Sequence, residues 1–296
     1  MTIESIAYFI GTHIIWLFLF GIASMLALAA ALWRLLERYG ESWWQWILNV
    51  GTALTRVLDL LLPRGREISQ WRVLRFIQKN YLGIHALAGF AIAFVAVLGF
   101  IEFADELDER DAIGQFDTAL ASALRVTLQP GTYTFFAYIT HLGDKITLIL
   151  LGAIVAAWLA WRRQWLSLGG WLLALIGNGL LNISLKLCFQ RVRPLHDHGF
   201  AIADGWSFPS GHSSGALVAY GMLAYLALRR SDRVWHLPLV LGAITIIHLV
   251  GGSRIILQVH YFTDVIAGFC SGTAWLAICI AGTEIASRHR YARAQK

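Results

Sequence analysis

The stretch "WLSLGGWLLALIGNGLLNISLKLCFQRVRP", Trp165 to Pro194, decides the fold class of this chain. Its first part, 165–185, carries no charge and is long enough to cross a bilayer core of about 30 Å as a helix. Cations follow directly at Lys186, Arg191 and Arg193, and Pro194 ends the helix. A charge-free run with cations at one end predicts a membrane helix whose end reaches water.

The same pattern recurs along the 296 residues, of which 57% are hydrophobic and only 14% charged. This composition is too apolar for an ordinary soluble domain. We predict an all-α, polytopic membrane helix bundle with seven spans. The runs that predict them are 8–33, 82–101, 146–161, 165–185, 213–228, 236–252 and 265–283.

The net charge of +6 could indicate a nucleic-acid partner, but the distribution of the charges argues for a membrane instead. Seventeen of the 24 lysines and arginines lie in four segments, 34–79, 162–163, 229–233 and 288–296. Placing all four in the cytoplasm satisfies the positive-inside rule. The N-terminus is then predicted outside and the C-terminus in the cytoplasm, with the bilayer as the partner and no nucleic acid.

The predicted domain boundary lies near residue 80. Residues 1–80 hold one membrane helix and a segment, 43–62, whose apolar residues recur at helical spacing. We interpret 43–62 as an amphipathic helix lying in the interface, because Arg56 and Asp59 are costly in lipid. An eighth span is the alternative. Residues 81–285 form a six-helix core, and 286–296 form a basic cytoplasmic tail.

Polar residues gather where three of these runs meet the non-cytoplasmic side. In "FPSGHSSG", Phe208 to Gly215, a histidine and two glycines precede an apolar run. If 213–228 spans the membrane, Ser210 caps its N-terminus and Gly211 lets a ligand approach the backbone. Helix N-termini attract anions, and His212 can exchange a proton with one. This stretch predicts a phosphate-like ligand.

The segment "SRIILQVHYFTD", Ser253 to Asp264, lies on the same predicted side. His260 and Asp264 are four residues apart, so the carboxylate can fix the tautomer of the imidazole and free its other nitrogen to attack. Arg254 supplies a forked donor for phosphate oxygens. No acidic residue stands four positions from His212. We therefore assign the role of proton donor to His212 and the role of nucleophile to His260.

Together these stretches resemble the tripartite signature of the type 2 phosphatidic acid phosphatase superfamily, Lys-x6-Arg-Pro, Pro-Ser-Gly-His and Ser-Arg-x5-His-x3-Asp. The matching residues are Lys186, Arg193-Pro194, Pro209-Ser210-Gly211-His212, Ser253-Arg254, His260 and Asp264, with no departure at any signature position. The resemblance covers about residues 80–285. It implies a six-helix phosphatase core, and it leaves the first 80 residues outside.

The resemblance also implies a role for each matching residue. His260 would be the nucleophile, Asp264 its orienting partner, and His212 the group that protonates the leaving oxygen and then activates water. A phosphate clamp would consist of Lys186, Arg193, Arg254, Ser210 and Gly211. Family members work without a metal or other cofactor. We therefore read "HDH", 196–198, as a polar loop and not as a metal site.

The sequence thus predicts a metal-independent phosphatase that hydrolyses a lipid phosphate or pyrophosphate through a phosphohistidine. It would face the periplasm from the bacterial cytoplasmic membrane. Candidate substrates are undecaprenyl pyrophosphate, phosphatidylglycerophosphate, phosphatidate and a lipid A phosphate. Open alternatives are a lipid phosphotransferase using the same site, a vanadate-dependent haloperoxidase, whose known members are soluble, and a non-enzymatic scaffold or transporter.

Overall fold

The computed structural model describes residues 2–61, 81–107, 111–195, 199–201 and 203–294. Every regular element in these ranges is a helix, and this confirms the all-α prediction. The helices are α1 (Ile3–Leu61), α2 (Tyr81–Asp105), α3 (Ala112–Thr127), α4 (Pro130–Thr140), α5 (Lys145–Trp161), α6 (Trp165–Phe189), α7 (Gly211–Leu228), α8 (Arg233–Ile256) and α9 (Phe262–Ala294). A short 3-10 turn, His141–Gly143, joins α4 to α5.

Six helical stretches in the described part of the chain are long and apolar enough to cross a membrane. They are Ile3–Trp43, Leu87–Asp105, Pro130–Trp161, Trp165–Phe189, Arg233–Ile256 and Phe262–Arg288. Many large apolar side chains on them are exposed, as lipid-facing surfaces require. The predicted membrane helix bundle is therefore confirmed. The run 213–228 is not among the six, because the first turn of its helix is polar.

Helix α7 nevertheless runs the full depth of the bundle, antiparallel to α6. At one end the Asn182 amide donates to Pro209 O at 3.4 Å, and at the other Arg230 Nη2 donates to Ser167 Oγ at 3.4 Å. Between these ends Met222 of α7 packs with Trp171 in the largest buried cluster. The polar start of α7 is therefore shielded by neighbouring helices instead of facing lipid.

The N-terminal region differs from the prediction in one respect. We expected a membrane helix followed by a separate amphipathic helix at 43–62, but α1 continues without a break from Ile3 to Leu61. The helical prediction for this segment is confirmed, whereas its interfacial position stays a prediction. The predicted domain boundary near residue 80 stays a prediction, because residues 62–80 lie outside the described residues. The predicted tail continues α9 as helix to Ala294.

Helix α3 packs against α1 at the end of the bundle where α1 begins. Leu120 and Leu124 pack with Ala7 of α1, and Thr127 Oγ1 donates to Gly11 O at 3.1 Å. Helix α3 is thus half-buried, and its inner face carries Asp117, a carboxylate with no exposure of its side chain.

Glycines in α9 allow the start of α7 to approach closely. A Cβ added at Gly268 would lie 2.6 Å from Ser210 O, which no real side chain tolerates. The amide of Ser210 in turn donates to Asp264 O at 2.8 Å. The beginnings of α7 and α9 are therefore held side by side, and this contact brings two of the three predicted motifs together.

Candidate active site

The predicted site residues meet at one end of the bundle, where α6 and α8 end and α7 and α9 begin. The set is Lys186, Arg193, Ser210, Gly211, His212, Arg254, His260 and Asp264. Hydrogen bonds or close electrostatic interactions connect its charged members. Three stretches that are far apart in the sequence thus form one cluster.

The His260 imidazole lies in the loop between α8 and α9 and is only 3% exposed. Its Nδ1 is 3.3 Å from Asp264 Oδ2, and its Nε2 is 3.0 Å from Arg193 Nη1. Asp264 Oδ2 also accepts hydrogen bonds from the Tyr261 amide at 2.9 Å and from the Ser207 hydroxyl. The carboxylate is therefore fixed, with Nδ1 of the ring towards it and Nε2 towards the cations.

Burial of the ring lowers the pKa of His260 to about 3, although the hydrogen bond and charge of Asp264 act in the opposite direction. The nearby charges of Arg254 and Arg193 lower this pKa further. His260 is consequently neutral at physiological pH. With the proton on Nδ1, Nε2 keeps the lone pair that a nucleophile needs.

Arg193 is surrounded by what we call the carbonyl collar, the backbone oxygens of Asp204, Gly205, Trp206 and Val259. Its guanidinium donates to them at distances of 2.6 to 3.2 Å. Lys186 Nζ donates to the neighbouring Trp206 oxygen. These two cations of the predicted clamp thus donate to neutral backbone oxygens, and a bound phosphate would replace those contacts with ion pairs in which donor and acceptor are both charged.

Arg254, the third predicted cation, is 4% exposed in the last turn of α8. Its Nη1 donates to Thr140 Oγ1 at 2.7 Å, while its Nε is buried without a hydrogen-bond partner. A buried donor without an acceptor is costly, and an anion bound beside it would remove that cost. The unmet donor is consistent with a phosphate site.

The Pro-Ser-Gly-His motif forms the start of α7, as predicted. Ser210 is the N-cap, and its Oγ accepts from the Ser213 hydroxyl at 2.9 Å and from the Ser213 amide at 3.4 Å. Gly211 lies against Asn182, since an added Cβ would be 2.9 Å from Asn182 Oδ1. The positive end of α7 therefore faces the cluster, where it favours an anion.

His212 has a carboxylate partner that the sequence did not reveal. Its Nε2 is 2.7 Å from Asp144 Oδ1, while the other oxygen of Asp144 is 2.5 Å from His141 Nδ1. No acidic residue stands four positions from His212 in the sequence, but the fold supplies one, because Asp144 comes from the start of α5 and not from the helix of His212. A carboxylate alone does not distinguish the two histidines.

The two histidine–aspartate pairs differ in their surroundings. The side chains of Asp264 and His260 are 0% and 2% exposed, whereas those of Asp144 and His212 are 33% and 23% exposed. Burial lowers the pKa of His212, although the hydrogen bond that the imidazole donates to Asp144 acts in the opposite direction. The His212 pair can therefore exchange protons with water more readily than the His260 pair.

Residues beyond the signature also contribute to the site. Asp144 supports His212, Thr140 supports Arg254, and Ser207 donates to Asp264. Arg191 binds Asp264 Oδ1 at 2.8 Å and Asp117 Oδ2 at 2.9 Å. In the sequence these residues appear as a helix cap, a loop or a lone cation. The one signal that could have marked Arg191 is its position on the side otherwise poor in positive charge.

The cluster brings together three cationic side chains, Lys186, Arg193 and Arg254, which interact electrostatically. Among the described residues no group of three or more metal-ligating side chains occurs. The stretch 196–198 lies outside those residues.

Comparison with known proteins agrees with this geometry. A sequence model of the PAP2 superfamily matches residues 167–286. Phosphatidylglycerophosphatase B of Bacillus subtilis (strain 168) is 34% identical over 180 residues, covering 55% of this chain and 80% of that protein. The crystal structure of a transmembrane PAP2 type phosphatidylglycerolphosphate phosphatase from Bacillus subtilis aligns with a TM-score of 0.60 and 31% identity. It covers 65% of this chain and 96% of that one.

The fold and the site thus define a helical membrane phosphatase of the kind that acts on phospholipids. This chain belongs to the PAP2 superfamily. The resemblance recognised from the three motifs is confirmed.

Proposed function

We propose that this protein hydrolyses the terminal phosphomonoester of a membrane lipid, phosphatidylglycerophosphate, through a phosphohistidine on His260 at the extracytoplasmic surface. The observation that carries the proposal is the His260–Asp264 pair, whose Nε2 faces Arg193 within a cluster of three cations. The name of the relative from Bacillus subtilis supports this choice of lipid.

In the first step the lone pair of His260 Nε2 attacks phosphorus and the bond to the lipid oxygen breaks. Arg193 must first turn its Nη1 from Nε2 to a phosphate oxygen. His212, whose protonated form the negative charge of the bound phosphate favours, gives a proton to the departing oxygen, which would otherwise leave as a poor alkoxide. Asp264 accepts the Nδ1 hydrogen bond throughout and stabilises the positive charge that develops on the ring.

In the second step His212, now neutral, takes a proton from water, and the oxygen of that water attacks phosphorus. The P–N bond breaks and inorganic phosphate leaves, which restores His260. Lys186, Arg193 and Arg254 stabilise the charge on the equatorial oxygens in both steps. These fixed cations perform the task that a divalent ion performs in other phosphatases, so we propose a metal-independent reaction.

A lipid can reach this site from the membrane surface. A cavity of about 370 Å³ opens beside Arg193 and is lined by Val192, Ala203, Gly205 and Trp206. Val192, which lines the cavity, is 73% exposed, and Leu195, three residues further along the chain, is 81% exposed. An apolar rim around a cationic centre suits a substrate with a charged head and an apolar body.

The proposed substrate can be tested with the purified protein in detergent. We expect inorganic phosphate to be released faster from phosphatidylglycerophosphate than from phosphatidate, undecaprenyl pyrophosphate or a lipid A phosphate, with activity retained in excess chelator. A preference for another of these lipids would replace the substrate but keep the reaction. Transfer of phosphate to a second lipid without release would identify a phosphotransferase. Loss of activity in chelator, restored by magnesium, would contradict the proposed mechanism.

The orientation of the site can be tested by thiol labelling in intact cells. Leu195→Cys and Asp232→Cys, each in a background in which Cys188, Cys270 and Cys279 are replaced by alanine, place one exposed thiol at opposite ends of the bundle. Because Arg162, Arg163 and Arg230 favour the cytoplasm for the second end, only Leu195→Cys should react with an impermeant reagent. The reverse pattern would place the site in the cytoplasm.

A further inference from the structure

A buried network of charges lies behind Asp264, on the side away from His260. Arg191 Nη1 donates to Asp264 Oδ1 at 2.8 Å, and Arg191 Nη2 donates to Asp117 Oδ2 at 2.9 Å. The Arg191 side chain is 11% exposed and both carboxylates are fully buried. Because the dielectric response of such a region is weak, each charge in it acts strongly on its neighbours.

The neighbouring residues hold the Arg191 guanidinium in one orientation. Thr263 Oγ1 accepts from Arg191 Nη1 at 2.7 Å and itself donates to Asp117. The Thr263 amide donates to the second oxygen of Asp117 at 3.2 Å. The guanidinium also lies 4.3 Å from the centre of the Tyr261 ring. Arg191 is thus fixed between the two carboxylates.

The balance of charge in this network bears on His260. Arg191 paired with Asp264 alone would neutralise the carboxylate that must stabilise a positively charged, phosphorylated imidazole. Asp117 supplies the second negative charge, so the three residues together keep a net charge of −1 next to His260. The division of the oxygens supports this reading, because Arg191 binds Oδ1 of Asp264 and leaves Oδ2 for the His260 ring.

We propose that Asp117 is a positioning residue for phosphoryl transfer, which acts through Arg191 to keep Asp264 oriented and negatively charged towards His260. Asp117 lies on α3, outside the residues 167–286 that match the superfamily. Helix α1 packs against α3 through the cluster of Ala7, Leu120 and Leu124. The N-terminal helix thereby supports the residue that completes the charge balance.

This proposal rests on the proposed function. Turnover of a lipid phosphate by the wild-type protein is therefore measured first. Absence of turnover on every lipid would refute the proposed function and would say nothing against the role of Asp117. Asp117→Asn removes the charge and keeps the shape. We expect its kcat and the rate of phosphoenzyme formation to fall about tenfold or more, as for other groups that support a reacting residue, with KM nearly unchanged. Asp105→Asn, the same change at an exposed aspartate, is the matched control and should retain wild-type rates.

A second substitution separates charge balance from a purely structural role. In the double variant Asp117→Asn with Arg191→Gln, no guanidinium remains to offset the negative charge of Asp264 next to His260. We therefore expect the double variant to be faster than Asp117→Asn. Independent structural damage would make it slower, and that outcome would overturn the proposal.

Arg191→Gln alone provides a test if Asp117→Asn fails to fold, as judged by gel filtration and thermal unfolding in detergent. Without Arg191, buried Asp117 takes up a proton, and Asp264 again keeps its charge. We expect this variant and the double variant to phosphorylate within about tenfold of the wild-type rate, the loss typical of one supporting contact. Folded Arg191→Gln protein that forms no phosphoenzyme would contradict the proposal.

Discussion

Replacing His260 by alanine should abolish both turnover and formation of a phosphoenzyme, on lipid substrates and on p-nitrophenyl phosphate alike. Nε2 of His260 is the atom that would receive the phosphoryl group. A better leaving group therefore cannot compensate for the loss of this nitrogen. Rapid-quench measurement with labelled substrate, at a pH that preserves acid-labile phosphohistidine, reports the step directly. We expect no phosphoenzyme and the largest fall in turnover among the variants considered.

A control variant separates loss of the nucleophile from loss of the fold. His13→Ala removes a histidine from α1. The ring of His13 forms a hydrogen bond with Phe9 O of the same helix and makes no hydrogen bond to a residue of the site. It should retain wild-type phosphorylation. Phosphoenzyme that still accumulates in His260→Ala would show that another side chain is the nucleophile.

Replacing His212 by alanine should affect the two kinds of substrate differently. Hydrolysis of a lipid phosphate should fall by about 10²–10⁴-fold, the usual contribution of a general acid, because an alkoxide needs the proton from His212 to leave. Nitrophenolate leaves without such help, so phosphorylation by p-nitrophenyl phosphate should retain much more of its rate. The phosphoenzyme should then accumulate, since His212 also activates water in the second step.

The Asp144 contact sharpens this second prediction. Asp144→Asn should show the same difference between substrates with a smaller amplitude, because the carboxylate orients His212 and favours its protonated form. Since each histidine has a carboxylate partner, the kinetics of these variants are needed to test the roles that their surroundings favour. If phosphoenzyme forms in His260→Ala but never in His212→Ala, the roles are exchanged.

The predictable features of this protein were those that leave a local pattern. Charge-free runs predicted the helices, and three short motifs predicted the cluster of His212, Arg254, His260 and the other signature residues. The partners of these residues were not predictable, because Asp144 and Asp117 reach the site from helices that are distant in the sequence. A carboxylate that acts across helices has no characteristic spacing. The continuity of α1 was missed because the polar residues after its apolar run suggested that the helix ends there, whereas the helix continues to Leu61.

The carbonyl collar has a consequence for the selection of a substrate among the lipids of the bilayer. Most membrane phospholipids are phosphodiesters with one negative charge, whereas a phosphomonoester carries about −1.5 to −2 at neutral pH. An incoming phosphate must replace the hydrogen bonds that Arg193 makes to its four carbonyls and to His260 Nε2. A dianion forms stronger bonds to Arg193 than a monoanion does. Ordinary phospholipids in excess should therefore not inhibit the enzyme, and only the rarer monoester should displace the carbonyl oxygens from Arg193.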